Sequence, residues 1–228
     1  FYSDQLAVTY PSPFARFVVE NVIPPSCSLL ELGSGSGRDS VYFFEQGHHV
    51  VAIEQSASAV ADCTQRVSHL PENERIRFTQ GDFTALDPAA TRAIDAVYSR
   101  FTLHSITKSE QDQVIKTVFE MLPRAGMFMI EARTINDPYY GKGTKVGEHE
   151  FVTDHYRRHL DPQQFLTEVL ELGFGVRYFH ESTGLARFRG EDPVVLRAVL
   201  VKSPFGPSPE VDAGDADSDT SGDDDPTA

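Results

Sequence analysis

From Ser28 onward the apolar positions fall into short unbroken runs, which alternate with longer stretches where they recur every three or four residues. Unbroken runs read as strands covered on both faces, and the longer spacing reads as helices laid over them. The pattern therefore predicts an α/β domain around a mostly parallel sheet, with helices on both faces. The runs are Leu29 to Leu32, "HHVVAIEQS", "RIRFTQGDF", "AIDAVYSRF" and "GMFMIEAR". Helices are expected from Arg38 to about Gly47, and through Val60, Thr64 and Val67 as far as Pro71. Thr107 and Glu110 have capping-box spacing, and the stripe Val114, Ile115, Val118, Phe119 and Leu122 carries that helix to Pro123. Asp161 and Pro162 start another that closes near Gly173. "GVRYFHES" and "VVLRAVLVKS" then follow with no helical pattern between them, which predicts a C-terminal antiparallel hairpin and brings the sheet to seven strands.

The rhythm breaks from Asn136 to Leu160, where glycine, charge, histidine and tyrosine replace periodicity. An insertion of that length in a small domain is expected to be functional or disordered. After Lys202 the chain turns to Pro, Gly, Ser and Asp, too poor in apolar surface to offset its ordering entropy, so 203–228 is expected to be a disordered acidic tail. That tail holds eight acidic residues and no basic one, more than half of the formal net charge of −14, so the body is only mildly acidic. A nucleic-acid partner, which calls for clustered Lys and Arg, is not expected. The organisation is read as an N-terminal lid or helical segment over 1–27, one domain over 28–202 with an acceptor-binding insertion at 133–160, and the tail. Cys27 and Cys63 are far apart, without CxxC spacing, and read as packing residues in a reducing compartment. With no run of eighteen apolar residues and no basic-then-apolar leader, neither membrane span nor secretion is expected; the reading is a cytoplasmic monomer or homodimer.

The stretch "LLELGSGSGRDS" places Gly33, Gly35 and Gly37 between the first strand and the first sheet-covering helix. A turn without side chains lets backbone N–H groups and a helix start approach a ligand closely. The spacing is G-x-G-x-G, with Arg38 where the dinucleotide fingerprint has its third glycine, so a pyrophosphate is not required. Glu54, followed by Gln55, ends the second strand, where a carboxylate can accept hydrogen bonds from ribose hydroxyls. Asp82 and Phe83, in "QGDF", offer an acceptor for an exocyclic amine beside an aromatic face, which suits adenine. Glu31, just before the glycines, favours a positively charged amino acid moiety. Adenosine joined to an amino acid is S-adenosylmethionine.

"ELGSGSG", "AIEQS" and "QGDF", in this order and at these distances, resemble the class I S-adenosylmethionine-dependent methyltransferases over about Leu29 to Lys202. The resemblance implies a Rossmann-like fold, with S-adenosylmethionine as cofactor and S-adenosylhomocysteine as product. It carries cofactor contacts over to Gly33, Ser34, Gly35 and Gly37, to Glu54 and to Asp82 with Phe83. Glu31, Arg38, Gln55 and Ser99 at the end of the fourth strand complete the candidate set.

The acceptor has to be read from the irregular segments at the carboxyl ends of strands four and five. "YSRFTLHS" supplies Arg100 and His104, the latter next to apolar neighbours that would also suit a packing role. The insertion supplies Arg133, Lys142, Lys145, His155 and Tyr156 among further cations, partly offset by Asp137, Glu148, Glu150 and Asp154. Its charges either pair among themselves or converge on the oxygens of an anionic acceptor. "YYGKGTKVGEHEF…DHYRRHL" resembles the phosphonate O-methyltransferases of natural-product (antibiotic) pathways, which implies methyl transfer to a phosphonate oxygen. In that scheme Arg133, Lys142 and Lys145 bind the anion, with Tyr2, His155 and Tyr156 as hydrogen-bond partners. Tyr2 and Tyr10 precede the first strand, where a lid or a packed helix is expected. The rivals are a carboxylate, phenol, amine or tellurite-like acceptor, and binding of S-adenosylmethionine without catalysis. "GKGT" lacks the earlier glycine of a P-loop, and His149, His155 and His159 do not make HExxH, so neither ATP cleavage nor a metal is expected.

Overall fold

The computed structural model describes residues 10–88 and 94–203. Tyr2 with the rest of 1–9, the first third of the expected lid or helical segment, and all of the acidic tail after Ser203 lie outside the described residues.

Seven strands form the main sheet: β1 (Ser28–Leu32), β2 (His49–Glu54), β3 (Ile76–Gln80), β4 (Ala96–Arg100), β5 (Met127–Arg133), β9 (Phe174–Ser182) and β10 (Val195–Lys202). Their order is β3-β2-β1-β4-β5-β10-β9. All pairings are parallel except those of β10, which runs antiparallel to both β5 and β9. The chain order reverses between β1 and β4, leaving a crevice at their carboxyl ends.

Neighbouring positions on a strand serve opposite faces, which is why the strands read as unbroken apolar runs. Leu30, Leu32, Val97, Phe128 and Ile130 share one core with α4 (Lys108–Met121) and α5 (Pro162–Leu172). Leu29, Val50, Ala52, Tyr98 and Met129 share the other with α1 (Pro13–Asn21), α2 (Arg38–Glu45) and α3 (Ala57–Val67). The expected capping box at Thr107 and Glu110 is present, Asp161 caps α5, and Gly173 ends it with φ 104°. In α3 the buried stripe runs through Cys63 and Val67, while Thr64 faces solvent. Both cysteines are buried and unpaired.

Two elements differ from the sequence reading. β3 stops at Gln80, because the Asp82 carboxylate accepts from Thr84 N at 2.8 Å and caps a short 3-10 turn over Phe83–Ala85. The insertion is an ordered three-stranded antiparallel sheet of β6 (Thr144–Gly147), β7 (Glu150–Val152) and β8 (Tyr156–Arg158). It leaves and rejoins the domain at one place, where Leu160 N donates to Arg133 O at 3.0 Å and Ile135 N to Leu160 O at 3.0 Å.

Candidate active site

The glycine turn is shaped by three left-handed residues, Gly33 (φ 69°), Gly35 (φ 54°) and Gly37 (φ 69°). Their neighbours give them different tasks. A Cβ on Gly33 would lie 2.5 Å from Thr102 Cγ2, and one on Gly37 would lie 2.8 Å from both Cys63 Sγ and Phe78 Cε1. Those two positions let the turn pack down on β4 and α3. A Cβ on Gly35 meets nothing within 4 Å, so this residue faces open space. Gly35 N donates to Glu54 Oε2 at 2.8 Å, and the other oxygen of Glu54 accepts from Ser56 N at 2.9 Å. Each carboxylate oxygen has a second acceptor position, so a braced Glu54 can still receive a ribose hydroxyl. Ser34 Oγ is buried without a hydrogen-bond partner among the described residues, a polar atom suited to a ligand in the turn.

Around this cradle stand the other candidate contacts. The Phe83 ring approaches to 3.7 Å of the position a Gly33 Cβ would take. Asp82 spends one oxygen on Thr84 N and its hydroxyl. Gln55 is exposed, its carbonyl accepting from Gln80 Nε2 at 3.4 Å, and Ser99 Oγ lies buried 2.5 Å from Thr102 Oγ1. Glu31 is 5 % exposed and accepts a short hydrogen bond from Ser40 Oγ. Burial, and after it the neighbouring Asp39 carboxylate, push its pKa up to about 8. Arg38 lies 3.7 Å from Asp39, and burial lowers its pKa.

Asp39 carries no signal in the sequence reading, yet it fastens this region together. Its carboxylate accepts from Ser12 N (2.7 Å), Ser12 Oγ (2.7 Å) and Tyr98 Oη (2.9 Å), joining the N-cap of α1 and the middle of β4 to the first turn of α2. Glu131 does the same at the far side of β4. It accepts from Arg100 Nε at 2.8 Å and Arg197 Nε at 2.7 Å, so the candidate Arg100 sits buried in a triad of two guanidinium groups and one carboxylate.

Beyond β4, Phe101 adopts φ 56°, unusual for a bulky residue and characteristic of functional turns. Its ring stands 4.4 Å from Arg100 Cζ, 5.9 Å from Arg133 Cζ and 5.5 Å from the His104 ring. Burial first, then the nearby Arg133 and Arg157, bring the His104 pKa down to about 3. Arg133 is ion-paired with Asp137 (3.2 Å) and Glu191 (2.8 Å), the second supplied by the link between β9 and β10. Asp137 also accepts from Tyr139 N and Val194 N, so it anchors the insertion at its start.

The structure gathers part of the cationic set around Tyr139: Arg133 at 5.2 Å, Lys142 at 4.3 Å and Arg157 at 5.8 Å from its ring centre. Lys145 is exposed on β6 and has no contact with this group among those found. His155 pairs with Asp154 at 3.0 Å, and the Tyr156 hydroxyl reaches Ile106 O at 3.5 Å. Burial, with Glu150 beside it, lifts the Tyr156 pKa to about 12. The charges of the insertion pair in part, Arg133 with Asp137 and Arg157 with Asp154, while Arg133, Lys142 and Arg157 also share the Tyr139 ring. Tyr139 was the member sequence reading missed; the doublet "YY" beside glycine and lysine was its one local signal.

The reversed last strand, the crevice at β1 and β4 and the glycine turn with its acidic partner on β2 together decide the class. The main sheet has the Rossmann-like fold of the class I methyltransferases. Residues 29–126 match the family described as "Methyltransferase domain". The probable thiol methyltransferase 2 of Arabidopsis thaliana is 27% identical over 147 residues, covering 62% of this chain and 63% of that protein, less than two thirds of its length. Among solved structures, a SAM-dependent methyltransferase from Methanosarcina mazei superposes with a TM-score of 0.70 at 16% identity, over 82% of this chain and 97% of its own. The glycopeptide N-methyltransferase MtfA, solved with S-adenosylhomocysteine, gives 0.63 at 23% identity, over 83% and 89%. The glycine turn has room for S-adenosylmethionine: a Cβ on Gly35 meets nothing within 4 Å, Glu54 stands beside it, and Ser34 Oγ has no partner among the described residues. Among the described residues no helix is long and apolar enough to cross a membrane.

Proposed function

We propose that the protein is an S-adenosylmethionine-dependent methyltransferase acting on a small anionic acceptor, with a phosphonate oxygen as the methyl-accepting atom. The observation that carries this reading is the junction at the end of β4, where a cradle suited to the cofactor adjoins Arg133, Lys142 and Arg157 around Tyr139. When bound, the cofactor supplies an electrophilic methyl carbon on a sulfonium centre. Gly35 and Glu54 hold its ribose, Asp82 and Phe83 flank its adenine, and Glu31 with Arg38 receive its amino acid end. Lys142 and Arg157 draw in the acceptor, and Arg133, already neutralised by two carboxylates, orients it without quenching its charge. An oxyanion needs no strong base. Catalysis is then a matter of alignment and exclusion of water, to which the β6–β8 sheet contributes by covering the site.

The test is incubation with methyl-labelled S-adenosylmethionine and simple phosphonates, carboxylates, catechols, amines and tellurite, followed by mass spectrometry of the products. Labelled phosphonate ester is the expected result. Labelled amine or phenol alone would move the acceptor to another class, and cofactor binding without turnover on any acceptor would leave a binding protein.

A further inference from the structure

The turn after β4 is held from three sides. Phe101 N donates to Glu131 O at 2.8 Å, and Ser105 Oγ donates to Thr102 O at 2.7 Å. The methyl group of Thr102 lies directly against Gly33, so the same turn forms the floor of the glycine cradle. From the other direction β8 packs on it, with the Tyr156 hydroxyl on Ile106 O. His104 sits in the middle of this clamped segment, where the cofactor cradle and the cationic insertion meet. Its Nδ1 is fully shielded and has no hydrogen-bond partner among the described residues, although His104 as a whole is only half-buried. A shielded imidazole nitrogen left unsatisfied is costly, and the left-handed Phe101 that sets up the turn adds backbone strain. Both costs fall at the same four-residue stretch.

Given the methyltransferase reading, we propose that His104 is a contact to the methyl acceptor: its neutral imidazole donates the Nδ1 hydrogen to an acceptor oxygen, holding the anion at the end of β4 while Lys142 and Arg157 supply the positive field. Arg133, Arg157, His159 and His155 lie near enough to oppose its protonation, a surrounding that favours an anion beside it. A neutral donor has an advantage over another cation here. It fixes the position of one oxygen without drawing electron density from the oxygen that attacks. The site so built selects for a compact oxyanion with at least two oxygens, one for His104 and one for the methyl group, and disfavours amines, whose N–H groups would face a donor.

The experiment uses the full chain saturated with S-adenosylhomocysteine, with the imidazole nitrogens observed by 15N NMR and His104 assigned by its loss in His104→Phe. Methylphosphonate and acetate are the probes, and methylamine is the control. The expected result is a shift of the His104 Nδ1 resonance with an oxyanion probe and none with methylamine. In turnover, His104→Asn, which keeps an amide group near the Nδ1 position, retains acceptor use, whereas His104→Gln and His104→Phe raise the acceptor KM by roughly ten- to a hundredfold with the cofactor Kd unchanged. A purely structural histidine would lose cofactor and acceptor binding together. An unmoved Nδ1 resonance with both oxyanions, in protein that binds S-adenosylhomocysteine, overturns the proposal for His104. Failure to bind S-adenosylhomocysteine at all overturns the methyltransferase reading on which it rests.

Discussion

Glu31 should release a proton when the cofactor binds. Glu31 is 5 % exposed, its carboxylate accepts from the Ser40 hydroxyl, and it lies beside an Asp39 already fixed by three donors. Burial and that neighbour raise its pKa from the ordinary 4.5 to about 8. At pH 7 roughly nine molecules in ten therefore carry the proton before binding. The ammonium group of the bound cofactor replaces the missing cation, so the complex holds Glu31 ionised and about 0.9 proton leaves at pH 7. The Kd then tightens about tenfold from pH 6 to 7, about fivefold from 7 to 8, and levels off above. Titration calorimetry with S-adenosylhomocysteine in two buffers of different ionisation enthalpy at pH 7 counts the protons directly. The Glu31→Gln variant separates this proton from any carried by the ligand's own amine. Equal proton counts in the two proteins, or a Kd flat from pH 6 to 8, would falsify the argument. The same shift fixes a sign for stability. The folded chain binds this proton more tightly than the unfolded one, so the contribution is fully present below pH 4.5. It is lost as pH rises through about 8, with a slope on the order of 1 kcal/mol per pH unit.

Gly33→Ala strains a left-handed residue and drives a methyl group into Thr102, and is expected to cost on the order of 3 kcal/mol in urea unfolding, whereas Gly35→Ala costs only about 1–2 kcal/mol but abolishes cofactor binding in the same calorimetry. Asp39→Ala strands two hydroxyls and the Ser12 amide and should lower unfolding free energy by on the order of 3 kcal/mol, against about 1–2 kcal/mol for Ser12→Ala, which removes the cap of α1. Arg133→Ala should raise the acceptor KM at least tenfold while leaving the cofactor Kd unchanged; equal losses in both would remove Arg133 from the acceptor side.

Most of the sheet could be read from the sequence because each strand is buried on both faces and therefore announces itself as an apolar run, as in Met127–Arg133. Helix ends were legible where a cap is a neighbour in sequence, as with Thr107 and Glu110. The glycine turn was legible for the same reason: Gly33, Gly35 and Gly37 stand at alternate positions of one short stretch, and Glu54 ends the next strand. The insertion was not, because β6–β8 are three or four residues long and carry Lys145, Glu150 and Arg157, leaving no periodicity to detect. Nor was the lock of Ser12, Asp39 and Tyr98, whose members lie 27 to 86 positions apart and acquire meaning only when the sheet brings them together. The left-handed turn at Phe101 has no local signal whatever, since nothing about phenylalanine favours that conformation.

The paired ends of the insertion make it a cassette. Because the chain exits at Arg133 and Ile135 and returns at Leu160 against the same two backbones, the span between them can be lengthened, shortened or exchanged without shifting either β5 or α5. Under the proposed function, chemistry on the donor half and choice of recipient are then separable, and grafting a foreign span between those anchor points tests whether the scaffold can be re-targeted.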